Sequence, residues 1–234
     1  MAEYIHLFQT EAEFTSAFTN DYKEPWVGYT EATSAVSYNK KAEPIPEGAV
    51  DLGLPSGTLW ATCNVGASSP EDYGNYYAWG ELSGKSNYSW STYTFGPEYP
   101  FSKYDPDDET VLELEDDVAH AIMGGNWHMP TEAQLQELTA NTTSAWTSNY
   151  NGTGVAGAVF TSTANTNTNS IFIPAAGYYD DTSKSNVGSS CYLWSAELAP
   201  GYFDGAISLG LRSNGNSMTG FDRRDGFSVR GVIG

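Results

Sequence analysis

The chain has 234 residues, of which 40% are hydrophobic, 14% aromatic and only 17% charged. That composition excludes a disordered protein and suits one large domain, or one domain with a small appendage. Acids outnumber bases 29 to 10, for a formal charge of -19, so phosphate backbones and anionic lipid are repelled and nucleic acid is not an expected partner.

In chain order, MAEYIHLFQTEAEF opens the sequence without the basic and apolar regions of a secretory signal. Residues 4–8 read as a strand. Residues 10–18 read as a short helix, with Thr10 as cap and Glu13 three positions on. Residues 26–30 and 36–38 read as further strands, and KKAEPIPEG at 40–48 as a linker. Residues 1–45 hold too few apolar side chains for a core of their own and are expected to form a small docking segment. The main domain is expected over 46–234. It opens with a hairpin of 50–54 and 58–62 around the turn Pro55-Ser56-Gly57.

Residues 66–104, rich in Gly, Ser, Tyr and Trp, show no helical period and predict irregular loops and short strands. A helix is predicted over 115–123. Val118, Ala121 and Ile122 form its buried stripe, acids crowd its start, and Gly124-Gly125 stops it. A second helix runs to Asn141, with Thr131 as cap, Gln134 completing a capping box, and Leu135 and Leu138 facing inward. Strands are predicted at 170–174, 206–211 and 227–233, and NTNTN at 165–169 is an exposed tip. Two helices among many short strands argue an α+β fold. No apolar run approaches the roughly 18 residues of a membrane span, so membrane insertion is not expected.

Chemistry-bearing motifs are sparse. Cys63 and Cys191 form no disulfide framework or zinc pattern; they read as two buried small hydrophobes, or as one long-range disulfide. The three histidines lack metal-ligand spacing. Asp105, Asp107, Asp108, Glu109, Glu113, Glu115, Asp116 and Asp117 offer hard oxygen ligands of the kind calcium takes. The order of an EF-hand is missing, so a solvated loop leading into acids at a helix start is the expectation, and no cofactor is required. No nucleophile elbow, phosphate loop or dinucleotide fingerprint occurs. Trp60, Trp79, Trp127, Trp146 and Trp194 sit in patterned segments and are expected in the core. Tyr178, Tyr179, Tyr192, Tyr202, Phe203 and Phe221 lie in Gly/Ser/Asp-rich stretches read as loops, a composition shared by antibody-like contact surfaces.

The string VDLGLPSGTLWATCNVGASSPEDYGNYYAWGE at 50–81 resembles the opening of a paralogous domain abundant in gut Bacteroidetes and their phages. EDDVAH, GGNWHMPTEAQLQEL, SIFIPAAGYYD, YLWSAEL and GFSVRGV continue the resemblance in order, and together the pieces span about 80% of the chain. The N-terminal HLFQTEAEFTSAF and EPWVGYTEATSAVSYN look like leader segments of gut phage structural proteins. The resemblance implies the C-type lectin-like fold of the formylglycine-generating-enzyme type, with two helices and short twisted antiparallel sheets. It also implies kinship with the variable proteins of diversity-generating retroelements. In those, adenine mutagenesis of a C-terminal repeat changes surface residues on a fixed scaffold.

Scrambled AAC codons cannot yield Lys, Glu, Gln, Met or Trp, and residues 202–225 contain none of these except Met218. The resemblance marks Ala206, Leu209, Leu211, Met218 and Arg223 as scaffold within a variable region at about 186–234. The ligand-binding positions it implies are Tyr192, Tyr202, Phe203, Asp204, Ile207, Ser208, Gly210, Arg212, Thr219, Gly220, Phe221, Asp222, Arg224 and Asp225. Alternation along the strands should then gather the variable positions into one exposed patch, with Phe221 and Arg224 as anchors and Leu209, Leu211, Phe227 and Val229 pointing inward.

The implied function is binding of a host-cell surface protein or glycan by a virion (phage tail) component, as a homo-oligomer, more a trimer than a dimer. A bacterial cell-surface adhesin or lectin is the rival. An enzyme of the formylglycine-generating type is third, since its C-terminal half would need paired cysteines and here holds only Cys191.

Overall fold

The computed structural model describes residues 6–8, 26–30, 35–39, 44–105 and 109–234. The chain divides into two compact units, Met1–Ile45 and Pro46–Gly234. In the first, β1 (His6–Phe8) pairs parallel with β2 (Trp26–Thr30), which pairs antiparallel with β3 (Ala35–Asn39). The helix predicted at 10–18 and linker residues 40–43 lie outside the described residues.

The second unit is α+β, with two helices and several short antiparallel sheets. β4 (Ala49–Asp51) and β5 (Leu59–Ala61) form the predicted hairpin, shorter than expected. Its turn closes with the Gly57 amide donating to Leu54 O at 2.9 Å, and Gly57 takes φ +79°, which favours glycine. The third strand of this sheet comes from the far end of the chain: β14 (Val232–Ile233) pairs with β5, Val232 opposite Trp60. The strand predicted over 227–233 is otherwise a series of isolated bridges, Phe227 to Tyr77 and Ser228 to Leu193.

Helix α1 (Val118–Met123) has Asp117 as its cap, whose side chain accepts from the His120 amide. It runs for only six residues, so one turn docks. Val118 and Ala119 are buried, whereas Ala121 and Ile122, expected in the buried stripe, are exposed. Helix α2 (Glu132–Asn141) carries the full predicted capping box between Thr131 and Gln134, and it buries Leu135 and Leu138. Beside it, β6 (Thr142–Thr147), β7 (Gly157–Ser162) and β8 (Ser170–Pro174) form an antiparallel sheet. β9 (Tyr178–Asp180) and β10 (Ser183–Ser185) form a small hairpin.

The sheet with the longest strands is β11 (Ser190–Leu198), β12 (Gly205–Arg212) and β13 (Gly215–Asp222), in that order. It divides two cores. Tyr192 and Trp194 of β11 face an aromatic core with Trp79, Tyr88, Tyr104 and Phe227; Cys191 and Leu193 face an aliphatic core with Leu135, Ile173 and Val232. Side chains alternate across a strand, so one strand feeds both cores and its segment Cys191–Trp194 reads as an unbroken apolar run. Leu209 and Leu211 point into the aliphatic core, and Phe227 and Val229 into the aromatic one. Trp60, Trp79, Trp127 and Trp194 are buried, and Trp146 is half-buried. Cys191 is a free, buried thiol whose pKa burial pushes up to about 12, and Cys63 is a free, half-buried one.

Two arginines are wholly buried. Arg230 donates from Nε to Asn64 Oδ1 (3.0 Å), from Nη1 to Ala61 O (2.9 Å) and from Nη2 to Phe172 O (2.8 Å), which staples three segments. Burial draws its pKa down to about 10, so it stays cationic at neutral pH. Arg223 donates to Tyr104 O and Phe203 O at 2.8 and 2.9 Å, and its guanidinium lies 3.9 Å from the Phe101 ring centre.

Candidate functional site

Register decides where the expected binding residues go. In β12 and β13 Ala206 faces Phe221, Ser208 faces Thr219 and Gly210 faces Ser217 across one side of the sheet. Gly205 faces Asp222, Ile207 faces Gly220 and Leu209 faces Met218 across the other. The predicted single patch therefore does not form; its residues are split between the two sides. Nor do the intervening positions of β12 point into solvent. β12 is the central strand and is covered on both sides, so Ile207 (5% exposed), Ser208 (0%) and Gly210 are buried. Ser208 sits against the aromatic core, and its hydroxyl has no hydrogen-bond partner among the described residues. Exposed side chains lie instead on β13, the outer strand, at Asn216, Ser217 and Thr219.

Tyr178 and Tyr179 lie in β9, Tyr192 in β11 and Phe221 in β13, a correction to their reading as loop residues. Phe221 packs on Phe227 (ring centres 5.1 Å apart), Tyr192 (5.5 Å) and Tyr178 (6.4 Å), and is half-buried. Tyr192 is buried; its hydroxyl accepts from Arg212 Nη2 at 2.9 Å, leaving Arg212 exposed at the rim.

Arg224, the expected anchor, is committed internally. It pairs with Asp181 (2.6 Å), Asp180 (3.1 Å) and Asp222 (3.2 Å), and lies 4.0 Å from Asp225. It also donates to Tyr88 O at 3.3 Å. Burial works against the cation, but the carboxylates of Asp225, Asp222 and Asp180 outweigh it and hold the guanidinium above its ordinary pKa. Asp225, expected on the surface, is buried. Burial raises its pKa to about 7, against the pull of Arg224 and with the repulsion of Asp222, Asp180 and Asp181. Its Oδ1 has no hydrogen-bond partner among the described residues.

The other side of the sheet holds a cavity. It measures about 460 Å³, is lined by Val111, Glu132, Glu197, Leu198, Pro200, Phe203 and Ile207 among others, and adjoins a second of about 350 Å³ beneath Tyr202, Thr219 and Gly220. Ala199-Pro200 lines both. The Tyr202 ring lies over Gly205 and Gly220 and its hydroxyl donates to Asp222 Oδ1. A Cβ on Gly220 would come within 2.7 Å of Ala199 Cβ and 3.0 Å of the ring, so Gly220 serves Tyr202's packing rather than open surface. Asp204 is half-buried, and its carbonyl accepts from the Arg223 amide at 2.9 Å. Tyr202 and Phe203 stand out at 40% and 52% exposure, and Phe203 lies 5.4 Å from the half-exposed Tyr99 ring. No family model, curated protein or solved structure matches this chain.

The acidic run gathers around a lysine. Lys103 Nζ contacts Glu113 (2.6 Å), Glu115 (2.8 Å) and Asp116 (2.6 Å), the three acids that could together ligate a metal. An ammonium therefore occupies the position a calcium ion would take. Asp107 and Asp108 lie outside the described residues.

Sequence reasoning singled out neither Glu132 nor Glu197 nor Tyr99. Only the fold brings Glu197 to the cavity, through an irregularity in β11. Trp194 pairs with Ser208 and Leu198 with Ala206, so four steps on β11 match two on β12. Ala196 within this bulge is fixed by its amide donating to Pro130 O and its carbonyl accepting from the Leu112 amide, both at 2.8 Å.

Proposed function

We propose that this chain is a ligand-binding protein with a C-type lectin-like main domain, a variable protein of the diversity-generating-retroelement kind, serving host attachment from a phage tail. The ligand is a host-cell surface molecule. The chain works as a homo-oligomer, a trimer by resemblance, so that weak contacts add through multivalency. Binding rather than catalysis is its role, with no cofactor, nucleic acid or membrane insertion involved. The observation that carries the reading is the exposed aromatic pair Tyr202 and Phe203 beside a cavity of about 460 Å³, within the stretch whose residue types fit adenine mutagenesis. Large apolar side chains left in solvent at a cavity rim mark an interaction site. The anchors are then Phe203 and Tyr202 rather than Phe221 and Arg224, which are occupied in packing and ion pairs.

The test uses fluorescently labelled protein on gut Bacteroidetes cells. Saturable binding should be lost in Phe203→Ala while the melting temperature stays within a few degrees. Cell binding unchanged in Phe203→Ala, or no binding to any strain of a broad panel, would refute the proposal.

A further inference from the structure

The cavity beside Phe203 has a chemical bias that its position does not require. Val111, Leu198, Pro200 and Ile207 make its walls apolar, and Glu132 and Glu197 are its two ionisable groups; among the described residues, no Lys, Arg or His lines it. Neither carboxylate is in an ion pair among the described residues. Glu132 accepts from Gln136 Nε2 at 2.9 Å, a neutral donor.

The backbone at Glu197 is anchored by hydrogen bonds. Its own amide donates to Ser195 Oγ at 3.1 Å, and the Leu198 amide donates to Thr110 O at 2.8 Å. The Ser195 carbonyl is clamped by Trp79 Nε1 at 2.8 Å. The bulge is thus tied on both sides, which fixes the backbone that carries Glu197 at the cavity. Burial raises the Glu197 pKa, the Glu132 amide lowers it, and the nearby Glu132 carboxylate raises it again. A cation placed between these two acids would offset the burial penalty by its attraction and cancel the repulsion.

We propose, resting on the attachment reading above, that this cavity takes a basic side chain of a partner protein. The methylene stem of a lysine or arginine lies against Phe203 and Pro200, and its cationic head sits between Glu132 and Glu197. A stem that is apolar for most of its length and charged only at its tip matches walls of this kind. An amino sugar supplies the same cation, but its ring hydroxyls need several polar partners, and Thr110 is the only hydroxyl side chain lining the cavity among the described residues. The aromatic face of Phe203, half in solvent, adds attraction for a cation passing over it. The net charge of -19 draws basic segments toward the molecule.

The experiment measures binding of fluorescein-labelled hexalysine to the full chain at low ionic strength, with circular dichroism melts as a folding control. Glu132→Gln/Glu197→Gln should weaken binding at least tenfold, and Glu197→Gln alone, away from the helix start, at least threefold. Glu47→Gln/Glu98→Gln removes the same charge from exposed sites elsewhere and should change binding less than twofold. Hexalysine acetylated on every Nε should not bind. Equal weakening by the two charge-matched pairs, or equal binding of the acetylated peptide, would overturn the proposal. Displacement of the peptide by glucosamine at lower concentration than by Nα-acetyl-lysinamide would also overturn it. The cell assay separates this inference from the reading beneath it. Cell binding lost in Phe203→Ala but intact in the Glu132/Glu197 pair leaves attachment standing and removes the basic ligand. Peptide binding that behaves as expected, with no cell bound, does the reverse.

Discussion

Replacing Asp225 by asparagine should stabilise the protein at pH 8 and do less at pH 5. The carboxyl is 6% exposed, one of its oxygens has no hydrogen-bond partner among the described residues, and Asp222, Asp180 and Asp181 crowd it. Burial, partly countered by Arg224, lifts its pKa from 3.8 to about 7. The folded state therefore holds the proton over a range where the unfolded chain has released it. Below the unfolded value both states are protonated and nothing is lost. As pH climbs from about 4 to about 7 the folded state loses ground, and above that the full penalty applies. At about 1.4 kcal/mol per tenfold change in proton affinity, the span sets an upper bound of about 4 kcal/mol. Partial hydration and movement of Arg224 reduce the observable effect to about 2 kcal/mol. Asparagine keeps the shape and carries no charge at any pH. Urea denaturation of both proteins at pH 5 and pH 8 gives the comparison. More than a third of the effect is already present at pH 5, so the stability difference in favour of Asp225→Asn should grow by about 1 kcal/mol between the two conditions. An equal difference at both pH values would mean that the carboxylate is solvated, or fully compensated by Arg224, and that the reasoning from burial fails.

Two further outcomes concern the scaffold. Thr131→Ala removes the hydroxyl that accepts from the Gln134 amide and should cost about 1 kcal/mol in a thermal or urea melt; Thr131→Ser should restore most of it. Arg230→Met leaves Asn64 Oδ1, Ala61 O and Phe172 O without their donor, at about 1–3 kcal/mol for each buried acceptor. Removing the buried cation returns part of that, so urea denaturation should show a net loss of about 3 kcal/mol.

What could be read from the sequence was local. The capping box at Thr131 and Gln134, the turn Pro55-Ser56-Gly57 and the stop at Gly124-Gly125 depend on residues within one or two turns of each other, and each is found where the residue types place it. The sheet β6–β8 was only partly legible. Residues 142–147, TTSAWT, are polar and largely exposed, so they carry no apolar alternation, and only the buried strand SIFIP announced itself. The site failed at one assumption, that β12 has a wet side. Its sequence, GAISLGLR, mixes small and apolar residues in a way that alternation alone cannot resolve. Both sides are in fact covered, one by Tyr192, Trp194 and Phe227 and the other by α2 and β7. Glu197 could not have been found at all, because a bulge tied to Pro130 and Leu112 places it, and those contacts span 66 and 84 positions of sequence.

The pairing of β14 with β5 sets an order on the birth of the molecule. Trp60 leaves the ribosome and must wait for Val232, its partner, roughly 170 residues later, a separation that makes closure slow even for a free chain. At about 5–20 residues per second the wait lasts on the order of ten to thirty seconds. Throughout it the β4–β5 hairpin has an open edge, and Asn64, Ala61 and Phe172 lack the guanidinium of Arg230 that later staples them. A nascent chain stalled before residue 230 would therefore hold an unfinished sheet and an aliphatic core without Val232, a state in which chaperones and proteases have an opportunity.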